Sequence, residues 1–134
     1  MGRILAIDYG LRRTGLAWTD PTKRVALPLA GIETANLWTY LSTLLPEVEK
    51  VIIGYPKRLD GRPTDMTAPV EQLYERIKRH YPSLVVELVE ERLSTQAASY
   101  YVKQLPRHVR QQKATMDKLA AAILLENYLL RPRV

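Results

Sequence analysis

The sequence contains no cysteine, so neither a disulfide framework nor a thiolate zinc site is open to it. Any metal must be held mainly by carboxylates, which suit hard cations such as Mg²⁺ or Mn²⁺. Long apolar runs are also missing. The longest mainly apolar stretch, near residues 119 to 125, falls far short of the roughly 20 residues that a membrane-spanning helix requires. The opening MGRILAIDYG meets charge too early for a signal peptide. These absences lead us to expect a cytoplasmic protein with no membrane partner. Repeats, low-complexity tracts and long linkers are absent as well. A chain of 134 residues, 46% hydrophobic and 25% charged, then reads as one compact domain over residues 1 to 134. Acidic residues are outnumbered: 14 Asp and Glu stand against 20 Lys and Arg, a net charge of +6. That excess favours a polyanionic partner.

What is present divides into short strands followed by alternating helices and strands. Arg3 to Ile7 and Gly15 to Thr19 read as strands joined by a turn at Gly10 to Thr14, with Val25 to Leu29 as a third, shorter strand. Such quick succession predicts antiparallel hairpins. Beyond a cap signal at Thr34 or Asn36, Leu37, Leu41, Leu44 and Leu45 follow helical spacing, with Pro46 near the end of the pattern. Val51 to Gly54 is a run without alternation, as in a buried parallel strand. Val70, Leu73 and Ile77 mark a second helix, which Pro82 separates from a further buried strand over Leu84 to Val89. A helix from about Ser94 carries Ala97, Ala98, Tyr101, Val102 and Leu105 on one side, and a last one runs from about Thr115 to Leu130. The last helix is apolar nearly all round, so it is expected to pack against the sheet. The fold class is α/β: a mixed sheet of three antiparallel and then two parallel strands, with helices on both faces.

Acidic residues sit where these elements end. Asp8 follows Ile4 to Ile7, at the C-terminal end of the first strand, where open α/β sheets usually place ligands. Glu90 and Glu91 follow Leu84 to Val89 in the same way, and Asp117 near the start of the last helix reaches the same edge if that helix crosses the sheet. Converging carboxylates repel unless a cation neutralises them, and a divalent ion with oxygen ligands is the common solution. Taken singly, each acid has a plainer explanation. Asp8 also suits a turn with Gly10, Glu91 and Arg92 a surface ion pair, and Asp117 the helix dipole. Gly10 and Gly15 read as turn residues, Gly54-Tyr55-Pro56 as a strand terminator, and Ser94 and Thr95 as N-caps with no histidine nearby to act as a base.

Charge is patterned more sharply. From Arg92 to Met116 there is no acidic residue, while Arg92, Lys103, Arg107, Arg110 and Lys113 are basic. The part with Pro106, His108, Gln111 and Gln112 reads as an exposed loop suited to gripping backbone phosphates, or else as a merely solvated basic loop. Arg12, Arg13, Lys57, Arg58 and Arg62 add to the nucleic-acid reading. Tyr100, Tyr101 and the tryptophans add less, because such aromatics more often belong to a core.

The order of these short motifs resembles one family. Asp8-Tyr9-Gly10 with Arg13, Gly15 and Ala17 is similar to the opening pattern of the YqgF/RuvX family. Gly54-Tyr55-Pro56 with Leu59-Asp60-Gly61 resembles its second block, Glu91-Arg92-Leu93-Ser94-Thr95 with Ala97 its third, and Lys113 with Asp117, Ala120 and Ala121 its last. The resemblance implies a ribonuclease-H-like fold of the Holliday-junction-resolvase type and a metal-dependent nuclease, with Asp8, Glu91 and Asp117 as both metal ligands and catalytic residues. Where the family has Asp before the Glu of its third block, this chain has Glu90, which is kept as a reserve ligand. Arg12, Arg13, Arg92, Arg107, Arg110 and Lys113 are the expected nucleic-acid contacts. Two substrates are implied: the 5′ end of pre-16S rRNA, which we favour, and four-way DNA junctions, which call for a homodimer with two sites related by twofold symmetry. A non-catalytic RNA-binding assembly factor is the reading outside enzymology. Actin-like ATPases share an Asp-x-Gly opening but need a second phosphate-binding half, for which this chain is too short.

Overall fold

The computed structural model describes residues 2–56, 62–90 and 103–131. Five strands form one mixed sheet: β1 (Arg3–Asp8), β2 (Arg13–Thr19), β3 (Ala26–Glu33), β4 (Val48–Tyr55) and β5 (Val85–Glu90), in the order β3-β2-β1-β4-β5. β1 pairs antiparallel with β2, and β2 with β3, while β1–β4 and β4–β5 are parallel. The helices are α1 (Leu37–Leu44), α2 (Thr67–His80), the short α3 (Arg107–Arg110) and α4 (Lys113–Leu130). The sequence expectations hold for the type and order of these elements, but β3 is long rather than short. It follows β2 over Arg13↔Glu33 to Thr19↔Ala26, because its backbone groups find partners along the whole of β2. The expected exposed loop after Pro106 contains a helical turn, α3, whose residues are exposed or half-buried. The expected helix from Ser94 falls largely outside the described residues.

Strand alternation gives the sheet two different faces. Leu5, Ile7, Val51, Ile53 and Val86 point to one side, where Leu37, Leu41 and Leu44 of α1 and Val70, Leu73 and Ile77 of α2 cover them. Ile4, Ala6, Ala17 and Ile52 point to the other, beneath Ala121, Leu124, Leu125 and Tyr128 of α4. Both crossover helices therefore lie on one face. β1, β4 and β5 advance across the sheet in a single direction, and crossovers of one hand then stay on a single side. Among the described residues, α4 covers the opposite face. At its far end Lys50 Nζ donates to the Tyr128 hydroxyl at 2.7 Å and Arg131 pairs with Glu87 at 3.2 Å. Lys50 lies level with Ile4 and Val85, near the N-terminal ends of the parallel strands. α4 thus starts over the C-terminal end of β1 and runs back along it.

Candidate active site

The C-terminal end of β1 and the first turns of α4 meet at a patch of sheet without side chains. Gly15 and Gly31 are cross-strand partners on β2 and β3. A Cβ on Gly15 would lie 1.9 Å from the Asp117 carbonyl oxygen, and one on Gly31 would lie 2.2 Å from that of Ala114. Real side chains never approach so closely. The helix rests directly on the backbone here, and Asp117 is drawn down to the sheet beside Gly15. Asp8 is the Cα partner of Gly15 across β1 and β2, and alternation places it on the face of Ile4 and Ala6, the α4 face. Asp8 and Asp117 therefore approach the same place from a strand end and a helix.

Arg13, two residues before Gly15 and on the same face, donates from Nε to Asp117 Oδ2 at 2.6 Å. The two side chains are 31% and 26% exposed, so the pair contributes only about 0–1 kcal/mol to stability. Its consequence is orientation rather than stability. Asp117 is the fifth residue of α4, because the helix begins at Lys113 and not at Thr115. The first turn of the helix holds no acid, and the helix dipole, whose effect fades within that turn, does not account for Asp117.

The neighbouring strands extend the site. Continuing one step beyond Ile7↔Ile53 and Ile53↔Leu88, Asp8 is level with Gly54 on β4 and Val89 on β5. Val89 belongs to the α4 face with Glu87, whereas Val86 and Leu88 belong to the face of α1 and α2, and Glu90 shares their parity. Gly54, which stands between Asp8 and Val89 on β4, is buried and carries no side chain of its own. Asp8 and Asp117 offer oxygen donors of the kind that suits a hard divalent cation. Among the described residues no three His, Cys, Asp or Glu form a metal cluster. Glu91, the expected third ligand, lies outside the described residues, as do Arg92, Lys57 and Arg58.

The basic residues sort by position. Arg12 is exposed in the β1–β2 turn, Lys113 is the exposed first residue of α4, and Arg107 and Arg110 are exposed on α3. The turn is braced from beneath. The Thr34 hydroxyl donates to the Gly10 carbonyl at 2.6 Å, which leaves the Thr14 hydroxyl as donor to Thr34 at 2.8 Å. The Thr34 amide donates to the Arg12 carbonyl at 2.9 Å. Thr34, expected as a cap, makes no cap bond and fastens the site loop instead. Sequence reasoning missed Gly31 and read Gly54 and Thr34 as a strand terminator and a cap. Gly31 lies inside β3, where a glycine signals close approach of another backbone, but the strand was expected to end at Leu29.

With this geometry in view, comparison with known proteins is decisive. The RuvX family model, described as Holliday junction resolvase, matches residues 2–131. The chain belongs to the RuvX family. Among its RuvX relatives, a protein of Flavobacterium psychrophilum is 37% identical over 135 residues, covering 98% of each chain. One of Chlorobium phaeobacteroides is 39% identical over 131 residues, covering 95% of this chain and 91% of the relative. A third, from Bacteroides thetaiotaomicron, is 34% identical over 133 residues and covers 96% of both. All three bear the name "Putative pre-16S rRNA nuclease". The mixed sheet is the ribonuclease-H-like arrangement that the RuvX resemblance implies.

Proposed function

We propose that this chain is a divalent-metal-dependent nuclease that hydrolyses a phosphodiester bond at the 5′ end of pre-16S rRNA. The observation that supports this reading is the convergence of Asp8 and Asp117 on one sheet edge, made feasible by Gly15 and Gly31. Asp8, Asp117 and Glu91 would hold Mg²⁺ or Mn²⁺. When bound, such an ion supplies charge stabilisation for a displaced phosphodiester and lowers the pKa of water. Asp8 enters from a strand, Asp117 is bonded by Arg13, and Glu90 shares the parity of Val86 and Leu88, on the side of α1 and α2 and away from α4. Arg107 and Arg110, exposed on α3, would neutralise backbone phosphates without reading bases. Resolution of four-way DNA junctions is the second reading, favoured by the description of the family model.

The test is cleavage of labelled pre-rRNA and four-way junctions side by side in Mg²⁺, Mn²⁺ and EDTA. Asp8→Asn is expected to abolish cleavage while leaving the metal-free melting temperature unchanged or raised, because it removes one charge from a mutually repelling set. Glu91→Gln should cost more activity than Glu90→Gln. Full Mg²⁺-dependent activity in a folded Asp8→Asn preparation would refute the metal assignment, and a reversed order at Glu90 and Glu91 would move the ligand by one residue.

A further inference from the structure

Three cations surround one cavity beside the candidate metal edge, and they are not equivalent. The cavity, about 440 Å³, is lined by Leu11, Arg12, Arg13, Glu33, Ala35 and Lys113. Arg13 is committed: its Nε is bonded to Asp117. The exposed side chains of Arg12 and Lys113 have no partner among the described residues. Both are anchored at the backbone, Arg12 through the Thr34 amide and Lys113 through its neighbour Ala114, which sits on Gly31. Glu33, the Cα partner of Arg13, is the one acid lining the cavity. With Arg13 paired to Asp117, two unpaired cations, anchored at the backbone, share the cavity with a single carboxylate.

We propose that this cavity is a subsite for a backbone phosphate of the nucleic-acid strand, held by Arg12 and Lys113, and that Arg13 is a positioning residue for Asp117 rather than a phosphate contact. The subsite rests on the nuclease reading for its role in catalysis, but not for its binding. A phosphodiester carries one negative charge and accepts from several donors at once, which suits a guanidinium and an ammonium lining one cleft. Arg13 lines the cavity too, but its charge is offset by Asp117, to which Nε is bonded, whereas the charges of Arg12 and Lys113 are uncompensated among the described residues. Glu33 opposes the phosphate and limits how tightly the strand is held between turnovers.

The test separates the two roles. Binding of a labelled single-stranded RNA and of a DNA duplex is measured against salt in EDTA, where no metal-dependent step takes part. Arg12→Ala and Lys113→Gln are each expected to reduce the log-log slope by roughly 0.7 on the single strand and 0.9 on the duplex. Glu33→Gln should tighten binding to both. Arg13→Ala should leave slope and affinity unchanged while lowering Mg²⁺-dependent turnover about 10- to 100-fold, as loss of a residue that orients a metal ligand does. A slope that falls in Arg13→Ala as it does in Arg12→Ala would overturn the division of roles. Unchanged slopes in both Arg12→Ala and Lys113→Gln would overturn the subsite itself. Absence of cleavage by the unaltered protein would count against the nuclease reading, and the binding measurements would still decide the subsite.

Discussion

Gly15 and Gly31 stand opposite each other in the sheet, and α4 descends onto them. A methyl group on either meets helix backbone, not the movable end of a side chain. The helix must therefore rise or slide, carrying Asp117 with it. Overpacking of this kind costs typically about 1–3 kcal/mol, and a displacement of about 1 Å at a reacting group can cost about 10²-fold in rate. Gly15→Ala is accordingly expected to be destabilised by about 1–3 kcal/mol in chemical denaturation and to lose cleavage out of proportion to its folded fraction. Gly31→Ala should show the same stability loss with less effect on activity, since its contact is Ala114 and not Asp117. If both variants melted like the unaltered protein, the close approach would have no energetic consequence. Arg13 illustrates the same scale: expected as a nucleic-acid contact, it also bonds a carboxylate distant in sequence, through Nε.

The β2–β3 hairpin carries Arg13, Gly15, Gly31 and Glu33, so its register fixes the site. Asp20 sets its turn. Its Oδ1 accepts from the amides of Arg24 and Val25, each at 2.8 Å, and its Oδ2 accepts from the Thr22 hydroxyl and, at 3.1 Å, the Thr22 amide. The bond from the Thr22 hydroxyl, followed by that from the Val25 amide, holds the carboxyl well below the usual carboxylate range. A carboxyl with a depressed folded-state pKa stabilises the fold above its unfolded pKa, and that contribution is lost as pH falls through the folded value. Asp20→Ala should therefore lower the melting temperature at neutral pH, with the gap to the unaltered protein narrowing as the solution is made strongly acidic. A gap that stayed constant across thermal melts from neutral to acid pH would mean that the charge contributes nothing to the turn.

At the scale of the molecule, the two ends of α4 do different things. The C-terminal end is fastened to the sheet by Lys50, Tyr128, Glu87 and Arg131, while the N-terminal end delivers Asp117 to Asp8. Asp8 and Asp117 both come from a single copy of the chain, so a second copy is not required to bring them together. Symmetric nicking of a four-way junction, by contrast, requires two sites related by a twofold axis. We expect the protein to sediment as a monomer under conditions in which it cleaves linear pre-rRNA, and to leave four-way junctions unresolved there. A dimer that resolves junctions and leaves the RNA intact would reverse this substrate assignment.

Much of this was legible along the chain. Uninterrupted runs such as Val51 to Gly54 and the helical spacing of Val70, Leu73 and Ile77 identify buried elements because burial demands apolar side chains at those periods. Asp8 stood out because a carboxylate directly after such a run lands at a strand end. The absence of cysteine excluded a thiolate metal site, and the ordered motifs carried the RuvX resemblance. The rest depended on partners distant in sequence. That Gly15 is a landing place for α4 rather than a turn residue is set by a backbone 102 positions away. That Arg13 serves Asp117 while Arg12 faces a cavity is set by strand alternation beneath a helix whose placement no local pattern encodes. Sequence fixes periodicity and chemical type, which are local properties. Which side chains meet is a property of packing, and it was decided only when α4 settled on the sheet.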